Sequence, residues 1–304
     1  MERTGRDASV VSPEERRAQR MVRREKQRQA NAGRAQKMHD ARLVWEQNAE
    51  LLEALPLDFE DRPVHIGCSG WFYWDWRGKF YPADLPTNQW FQYYSRRFQT
   101  VELNAPFYSW PTIGTVREWV RQIGRRKFIY TVKASELITH IKQFSGTKTL
   151  IRDFGHIANL LGPHMGCFLF QLPPSFHYSA IRLDRIVSQL DPRRRNVVEF
   201  RHRSWWNEKV FAVFRAAGII FCSCSAPKLP DDLVVTADEV YLRFHGTERW
   251  YRHDYTPAEL EVWVSRLRAS GAKKVWAYFN NDWDGFALKN ARILMRLLRG
   301  FPNL

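Results

Sequence analysis

One stretch decides the fold of this chain: Asn196-Val197-Val198-Glu199-Phe200-Arg201-His202-Arg203-Ser204-Trp205-Trp206. Val198 and Phe200 alternate with Glu199 and Arg201, so a strand here has one apolar and one charged face. A half-buried antiparallel strand could turn that charged face to water. In a chain that alternates strands with helices, however, the strands should be parallel and covered on both faces. The charged face then indicates a closed barrel whose strand ends form a polar cup.

Seven further strand-like segments occur along the chain, and helical patterns separate most of them. The strands are predicted at residues 64–70, 100–107, 127–134, 166–172, 218–225, 240–245 and 275–280. Helices are predicted at residues 87–98, 113–123, 148–161, 181–190, 208–217, 257–269 and 285–299, with the weakest helical signal between the sixth and seventh strands. Eight such units over about 240 residues predict a single closed (β/α)8 barrel of the TIM type. A doubly wound open sheet is the alternative, although no Gly-x-Gly-x-x-Gly motif follows a strand.

The alternation within the strands assigns an outer and an inner face. Apolar residues take the positions predicted to face the helices: Val101, Leu103, Phe168, Phe170, Val198, Phe200, Leu242, Phe244, Ala277 and Phe279. The opposite positions carry Glu102, Asn104, Lys133, Gln171, Glu199, Arg201, Cys222, Cys224, Arg243, His245, Tyr278 and Asn280. These side chains come from the C-terminal ends of seven strands, where the active sites of such barrels lie. Because burying so many polar groups without a shared site would be prohibitive, they predict a polar cup.

The chain is strongly basic, with a formal net charge of +15 over 304 residues. We divide it into a basic N-terminal extension, residues 1–60, and a barrel domain, residues 61–304. The extension has a helix start at Ser12-Pro13-Glu14-Glu15, but the sequence from there to Asp40 has almost no apolar stripe. This polar sequence predicts a solvated arm that is helical or disordered. The apolar residues of 43–55 predict that the last part of the extension packs on the barrel. Such an arm favours nucleic acid or other anionic partners, although a solubilising tail explains it equally well.

Neither a secretory signal nor an apolar run of about 18 residues is visible, so we expect a cytoplasmic protein without a membrane span. The four cysteines, Cys68, Cys167, Cys222 and Cys224, are then expected to remain thiols. Cys222 and Cys224 share one strand face, but a zinc or iron–sulfur site needs about four ligands at matched spacing. Buried thiols are therefore the preferred interpretation. The sequence leaves the oligomeric state open.

A series of short motifs runs in order from Ile66 to Leu298. They are Ile66-Gly67-Cys68-Ser69-Gly70-Trp71, Asp75-Trp76-Arg77-Gly78, Phe80-Tyr81-Pro82, Thr100-Val101-Glu102-Leu103-Asn104, Phe107-Tyr108, Val132-Lys133-Ala134, Thr139-His140, Phe170-Gln171-Leu172-Pro173-Pro174-Ser175-Phe176, Val198-Glu199-Phe200-Arg201-His202, Ser204-Trp205, Arg243-Phe244-His245-Gly246 and Phe279-Asn280-Asn281-Asp282. Jointly they resemble the YecE-like family, known as domain of unknown function 72. The resemblance implies a TIM-type barrel and no established reaction, and the basic extension lies outside it. A likeness to metal-dependent endonucleases of the same fold is an analogy only.

Four residues of the cup are the candidate catalytic groups: Glu102, Lys133, Glu199 and His245. A glutamate or His245 could move protons. Lys133 could form a Schiff base with a carbonyl substrate. Its more ordinary role is an ion pair with Glu102 or a contact to an anion, and we prefer that interpretation.

Residues that could bind a substrate lie at the strand ends and in the loops that follow them. Arg201, Arg243 and Lys133 could clamp an anionic group. Aromatic side chains that could stack on a sugar or base are Trp71, Tyr73, Trp76, Trp205, Trp250, Tyr251 and Tyr255, although some must be loop core. The substrate-binding set is Ser69, Trp71, Asn104, Tyr108, Gln171, Arg201, His202, Trp205, Arg243, Tyr255, Tyr278, Asn280 and Asn281.

Three functions fit these residues. In the first, a divalent metal activates water against a phosphoester, and its candidate ligands are Glu102, Glu199, His245 and Asp282. Neighbouring lysine and arginine side chains could already neutralise those carboxylates. In the second, the cup acts by acid/base chemistry on an anionic, phosphorylated, sugar- or nucleotide-like substrate. In the third, a non-catalytic protein binds nucleic acid or another ligand through the basic extension and the aromatic rim. We favour an enzyme, a hydrolase or a lyase, with its cofactor undetermined.

Overall fold

The computed structural model describes residues 12–48 and 62–301. Within these ranges the strands are β1 (Val64–Cys68), β2 (Thr100–Leu103), β3 (Ile129–Lys133), β4 (Met165–Gln171), β5 (Asn196–Glu199), β6 (Ile220–Ser225), β7 (Glu239–Phe244) and β8 (Lys274–Phe279). The α-helices are α1 (Pro13–Gln47), α2 (Trp90–Ser95), α3 (Ala105–Tyr108), α4 (Ile113–Ile123), α5 (Lys148–Leu161), α6 (Ala180–Gln189), α7 (Glu208–Ala217), α8 (Pro257–Ala269) and α9 (Phe286–Leu297).

The eight strands form one parallel sheet in the order β1-β8-β7-β6-β5-β4-β3-β2, with helices around it. This nearly closed barrel confirms the TIM-type prediction and excludes the doubly wound sheet. No helix forms between β6 and β7, where the helical signal is weakest. The predicted second strand is too long, because Pro106 lies in the first turn of α3 and the chain is helical there.

The barrel closes between β1 and β2 through a side chain. The phenolic oxygen of Tyr94 accepts the Cys68 N–H at 2.9 Å and donates to the Thr100 carbonyl at 3.0 Å, so it bridges the two strands. Gly67 of β1 approaches β2 so closely that a Cβ there would collide with the Thr100 carbonyl oxygen. A glycine at this position and a buried tyrosine on α2 are therefore what allow the two edge strands to meet.

The predicted inner and outer faces are confirmed. Outward residues such as Val101, Phe170 and Phe244 belong to the large core between the barrel and its helices. A smaller apolar cluster fills the lower part of the barrel interior and comprises Ile129, Cys167, Leu169, Val197, Ile220, Cys222, Cys224, Ala226, Tyr241, Trp276 and Tyr278. The cysteines are free and buried, as expected. The polar residues of the inner face lie above this cluster, toward the C-terminal ends of the strands.

The N-terminal extension differs from the predicted solvated arm. Ser12 caps α1 with the predicted capping box, and the helix continues to Gln47 and packs along the barrel. The face of α1 that packs on the barrel is mostly polar, so hydrophobic periodicity did not predict it. Its residues recur at spacings of three and four and are Arg24, Arg28, Asn31, Ala35, Met38 and Arg42. The predicted packing residues Leu51, Leu52 and Leu55 lie outside the described residues.

Two buried carboxylates anchor α1. Arg24 Nη2 lies 2.7 Å from Glu136 Oε2, and Arg28 Nε lies 3.1 Å from Glu136 Oε1. Arg42 Nε lies 2.8 Å from Asp153 Oδ1 on α5. The side chains of Glu136 and Asp153 are only 1% and 4% exposed, so they are shielded as well as paired. Neither α1 nor any other helix of the described ranges is long and apolar enough to cross a membrane.

Candidate active site

A buried ion network forms the floor of the site. The Arg243 guanidinium, 1% exposed, donates from Nη2 to Glu102 Oε1 at 2.5 Å and from Nη1 to Glu199 Oε2 at 2.6 Å. Glu102 also accepts hydrogen bonds from the Ser69 hydroxyl at 2.7 Å and the Tyr241 hydroxyl at 2.6 Å. Arg243 thereby joins β2 to β5, and Glu102 is fully occupied by protein donors.

Glu199 has equally strong partners. Its second oxygen pairs with Arg201 and lies 3.5 Å from His245 Nε2. Burial alone would raise the pKa of Glu199, but Arg201 and Arg243 hold that pKa well below its ordinary value. Burial, with the same two arginines, holds the pKa of His245 well below its ordinary value. The carboxylate is therefore charged and the imidazole neutral near pH 7.

A cavity of about 720 Å³ opens above this network. Residues from seven of the eight strand ends or following loops, together with α1, line it. They are Arg24, Tyr73, Asn104, Phe107, Tyr108, Lys133, His140, Gln171, Pro174, Arg201, Trp250, Tyr251, Asn280 and Asp282. We call this cavity the cup.

Lys133, the last residue of β3, is the buried cation of the cup. Its Nζ lies 4.2 Å from the centre of the Phe107 ring, and it makes no ion pair or hydrogen bond within residues 12–48 and 62–301. The structure does not form the ion pair with Glu102, because Ser69, Tyr241 and Arg243 occupy that carboxylate, and the other preferred role, a contact to an anion, stays a prediction. Burial, reinforced by Arg243, lowers the pKa of Lys133 to about 7.

Two further titratable groups of the cup have shifted pKa values. Burial raises the pKa of Asp282 to about 6, and Asp75 adds to that effect. Burial and the nearby Lys133 lower the pKa of His140 to about 4. Near pH 7 the imidazole of His140 is therefore neutral, whereas the pKa values of the Asp282 carboxyl group and the Lys133 amine lie within about one unit of neutrality.

One buried acceptor of the cup has no partner. Asn104 donates from Nδ2 to the Ser69 carbonyl at 3.1 Å, which orients its amide. Asn104 Oδ1 is buried and accepts no hydrogen bond from the described residues. A buried polar atom without a partner costs about 1–3 kcal/mol, so a donor group on a ligand would be stabilised here.

The cup gathers part of the predicted site. Of the candidate catalytic residues it exposes Lys133, whereas Glu102, Glu199 and His245 lie in or beside the floor. Of the candidate substrate-binding residues, those that line the cup are Asn104, Tyr108, Gln171, Arg201 and Asn280. Those that lie outside its wall are Ser69, Trp71, His202, Trp205, Arg243, Tyr255, Tyr278 and Asn281.

Most of the residues outside the wall have structural partners. Trp205 stacks on Phe200 at a ring-centre distance of 4.0 Å and belongs to the core. The Tyr278 hydroxyl lies 2.7 Å from the Thr100 hydroxyl, deep in the barrel. The Tyr255 hydroxyl accepts the Gly246 N–H at 2.8 Å. The other partners are Glu102 for Ser69, Phe91 for Trp71, His177 for His202 and Asn290 for Asn281.

The sequence reasoning missed four residues of the cup, which are Arg24, Phe107, His140 and Pro174. Phe107, His140 and Pro174 follow β2, β3 and β4 and belong to the motifs that resemble the family, but none was assigned a role in the site. The rings of Phe107 and His140 pack edge to face at 4.9 Å, under the Lys133 amine. Arg24 belongs to α1, outside the barrel, and its spacing from Arg28 and Asn31 was the available signal. Tyr73, Trp250 and Tyr251 of the predicted aromatic rim do line the cup.

Two of the four predicted metal ligands, Glu199 and His245, come together, and Glu102 and Asp282 do not join them. Among the described residues, three possible ligand atoms come within 4.8 Å of one another at Glu199, Cys224 and His245, without Glu102 or Asp282. Both Glu199 oxygens already pair with arginines, which would repel a second cation. These residues therefore do not fit a divalent metal.

Comparison with known proteins places this site in a family. The model of the family "Protein of unknown function DUF72" matches residues 65–303. The UPF0759 protein YunF of Bacillus subtilis (strain 168) is 25% identical, over 77% of this chain and 94% of that protein.

Solved structures agree. A DUF72 family protein from Thermotoga maritima superposes with a TM-score of 0.71 at 29% identity, over 78% of this chain and all of that one. One from Enterococcus faecalis, at 18% identity and a TM-score of 0.66 over 78% of this chain and 95% of that one, shares the fold. The chain therefore belongs to the DUF72 family, whose function is not established.

Proposed function

We propose that the protein is an enzyme that binds a small, hydroxylated anion in the cup and moves protons on it. The observation that carries this proposal is Lys133, a buried amine at the C-terminal end of a barrel strand that forms no ion pair with any carboxylate of the described residues. A cation without a partner in a low-dielectric site is costly to keep charged, and an anionic ligand would offset that cost.

The groups around Lys133 suit such a ligand. Arg201, which also pairs with Glu199, lies in the cup wall with its guanidinium carbon 4.5 Å from the centre of the Trp250 ring, and Arg24, which also pairs with Glu136, lines the same wall. The free Asn104 Oδ1 needs a donor, such as a ligand hydroxyl. A sugar phosphate or a hydroxy acid carries both an anionic group and hydroxyl donors.

Acid/base chemistry follows from the shifted pKa values. A general acid or base works best when its pKa lies near the operating pH. Lys133, at about 7, and Asp282, at about 6, meet that condition from opposite directions. In this proposal Glu102, Glu199 and His245 are positioning residues, because Arg243 and Arg201 hold them in the floor.

The test is thermal unfolding of the full chain with ribose 5-phosphate, inorganic phosphate or uncharged ribose. A ligand that binds only the folded state raises the melting temperature. We expect ribose 5-phosphate to stabilise the wild type and Lys209→Met, an exposed control on α7, but not Lys133→Met. If no anion stabilises the protein, or if Lys133→Met responds like the wild type, the proposal is wrong. Stabilisation by RNA alone would instead support the non-catalytic alternative.

A further inference from the structure

We propose that Lys133 is a nucleophile that forms an imine with the carbonyl carbon of an anionic aldehyde or ketone. This inference rests on the proposed function, because it deepens the chemistry of the same cup. It names the substrate class as a small carbonyl compound that carries a phosphate or carboxylate group.

The position of the amine is the first support. Lys133 ends β3 inside the barrel and lines the cup, so its Nζ can meet a bound carbonyl group. Glu102, the nearest predicted partner, is already bonded to three donors, and Glu199 is bonded to two arginines. The amine is therefore free of the ion pair that would keep it protonated and unreactive.

The surroundings of the amine are the second support. It lies over the Phe107 ring, and the charged groups that face it are Glu102, Glu199, Arg201 and Arg243. The two acids and two arginines act in opposite directions on the pKa of the amine, and burial is the largest influence on it. An ordinary lysine, with a pKa of about 10.4, is neutral in only a fraction on the order of 10⁻⁴ at pH 7. Lys133, with a pKa of about 7, is close to half neutral there.

The rest of the cup can hold the other end of the substrate. Arg201 and Arg24 are cations in its wall, and Asn104 Oδ1 is an acceptor for a hydroxyl group next to the carbonyl. A lysine that is desolvated and close to other cations is a known way to make a Schiff-base nucleophile.

The step balances without an oxidant or reductant. The neutral amine attacks the carbonyl carbon, a C–N bond forms, and the carbonyl oxygen takes up a proton to give a carbinolamine. The C–O bond then breaks, and the oxygen leaves as water with one proton from the amine and one from an acid. Asp282, with its raised pKa, lines the cup and can supply that acid proton. The product is a protonated imine on Nζ.

The experiment is borohydride trapping at pH 7 with dihydroxyacetone phosphate and glyoxylate as probes, followed by peptide mapping. We expect one reduced adduct per chain, on Lys133, with either probe. Uncharged dihydroxyacetone should label poorly. The adduct should persist in Lys209→Met and disappear in Lys133→Arg. The arginine variant keeps the positive charge at this position, so it can be tested even if Lys133→Met fails to fold. The neutral fraction at Lys133 exceeds that of exposed lysines by on the order of a thousandfold.

If all lysines are labelled to the same extent, or if Lys133→Arg is labelled as strongly as the wild type, the proposed imine at Lys133 is wrong. If a probe raises the melting temperature but is not trapped, the imine is wrong and the anion-binding proposal stands. If it does neither, and ribose 5-phosphate also fails to stabilise the protein, both are wrong.

Discussion

Lys133 and Asp282 line the same cup, and burial moves their pKa values toward neutrality from opposite sides. Burial disfavours the charged form of each, so the amine loses its proton more readily and the carboxyl group keeps its proton longer. The order of the residues along the chain predicted that a lysine and several acids share the cup. It could not predict which of them pair, because pairing depends on where each side chain ends.

The first prediction concerns the pH dependence of stability. The pKa of Lys133 is about 7 in the folded state and about 10.4 in the unfolded state, so below pH 7 folding must bury a charged amine. Between these two pKa values the unfolded chain binds one more proton than the folded chain, so the free energy of unfolding rises with pH. Because one pKa unit is worth about 1.4 kcal/mol, the wild type should gain a few kcal/mol relative to Lys133→Met between pH 7 and pH 10. Urea unfolding measures this, and parallel pH profiles of the two proteins would contradict it.

At the level of elements, α1 shows how a helix can dock without an apolar stripe. Its contacts to the barrel include two ion-paired carboxylates, Glu136 and Asp153, and hydrogen bonds of Asn31 to the backbone around Tyr108 and Trp110. Hydrophobic periodicity predicted α4, α5, α7 and α8 with their observed bounds. It failed for α1, because Arg24, Arg28 and Arg42 follow a helical spacing but are not apolar.

The second prediction tests this docking. Burial alone would raise the pKa of Glu136, but Arg28 and Arg24 hold it below its ordinary value, so the carboxylate is charged. Glu136→Gln removes the negative charge that two arginines share, and α1 should loosen at that end. We expect faster amide hydrogen exchange around residues 20–31, with little change in the barrel strands.

The exposed Glu261 on α8 provides the matched control, Glu261→Gln, which should leave exchange unchanged. Equal exchange of α1 in Glu136→Gln and the wild type would mean that the ion pairs contribute nothing to docking. In that case Asn31, Ala35 and Met38 would have to hold the helix.

At the scale of the whole molecule, the strand alternation predicted the barrel because Val198 and Phe200 must face helices while Glu199 faces inward. This alternation of outward apolar and inward polar residues was observed in the other strands of the barrel as well. The closure between β1 and β2 could not be predicted, since it depends on the position of one hydroxyl group. Tyr94 looked like any apolar residue of a helix at residues 87–98.

The third prediction is that Tyr94→Phe destabilises the whole barrel. The change leaves the Cys68 N–H and the Thr100 carbonyl buried without their shared partner, at a cost of about 1–3 kcal/mol for such a group. Urea unfolding should show a lower midpoint with an unchanged slope. The neighbouring Tyr93→Phe, which removes a hydroxyl from a partly buried ring, should have little effect. Equal midpoints for Tyr94→Phe and the wild type would show that backbone packing alone closes the barrel.

The polar docking face of α1 has a consequence for biosynthesis. Arg24 and Glu136 are 112 residues apart, and Arg42 and Asp153 are 111 residues apart. At translation rates of about 5–20 residues per second, the helix leaves the ribosome roughly 5–20 s before its partners exist. An apolar stripe exposed for that long would invite aggregation, whereas arginine and asparagine side chains remain hydrated. The polar residues that kept the docking face from being predicted therefore also allow the newly made helix to remain hydrated, without aggregating, until its partners have been synthesised.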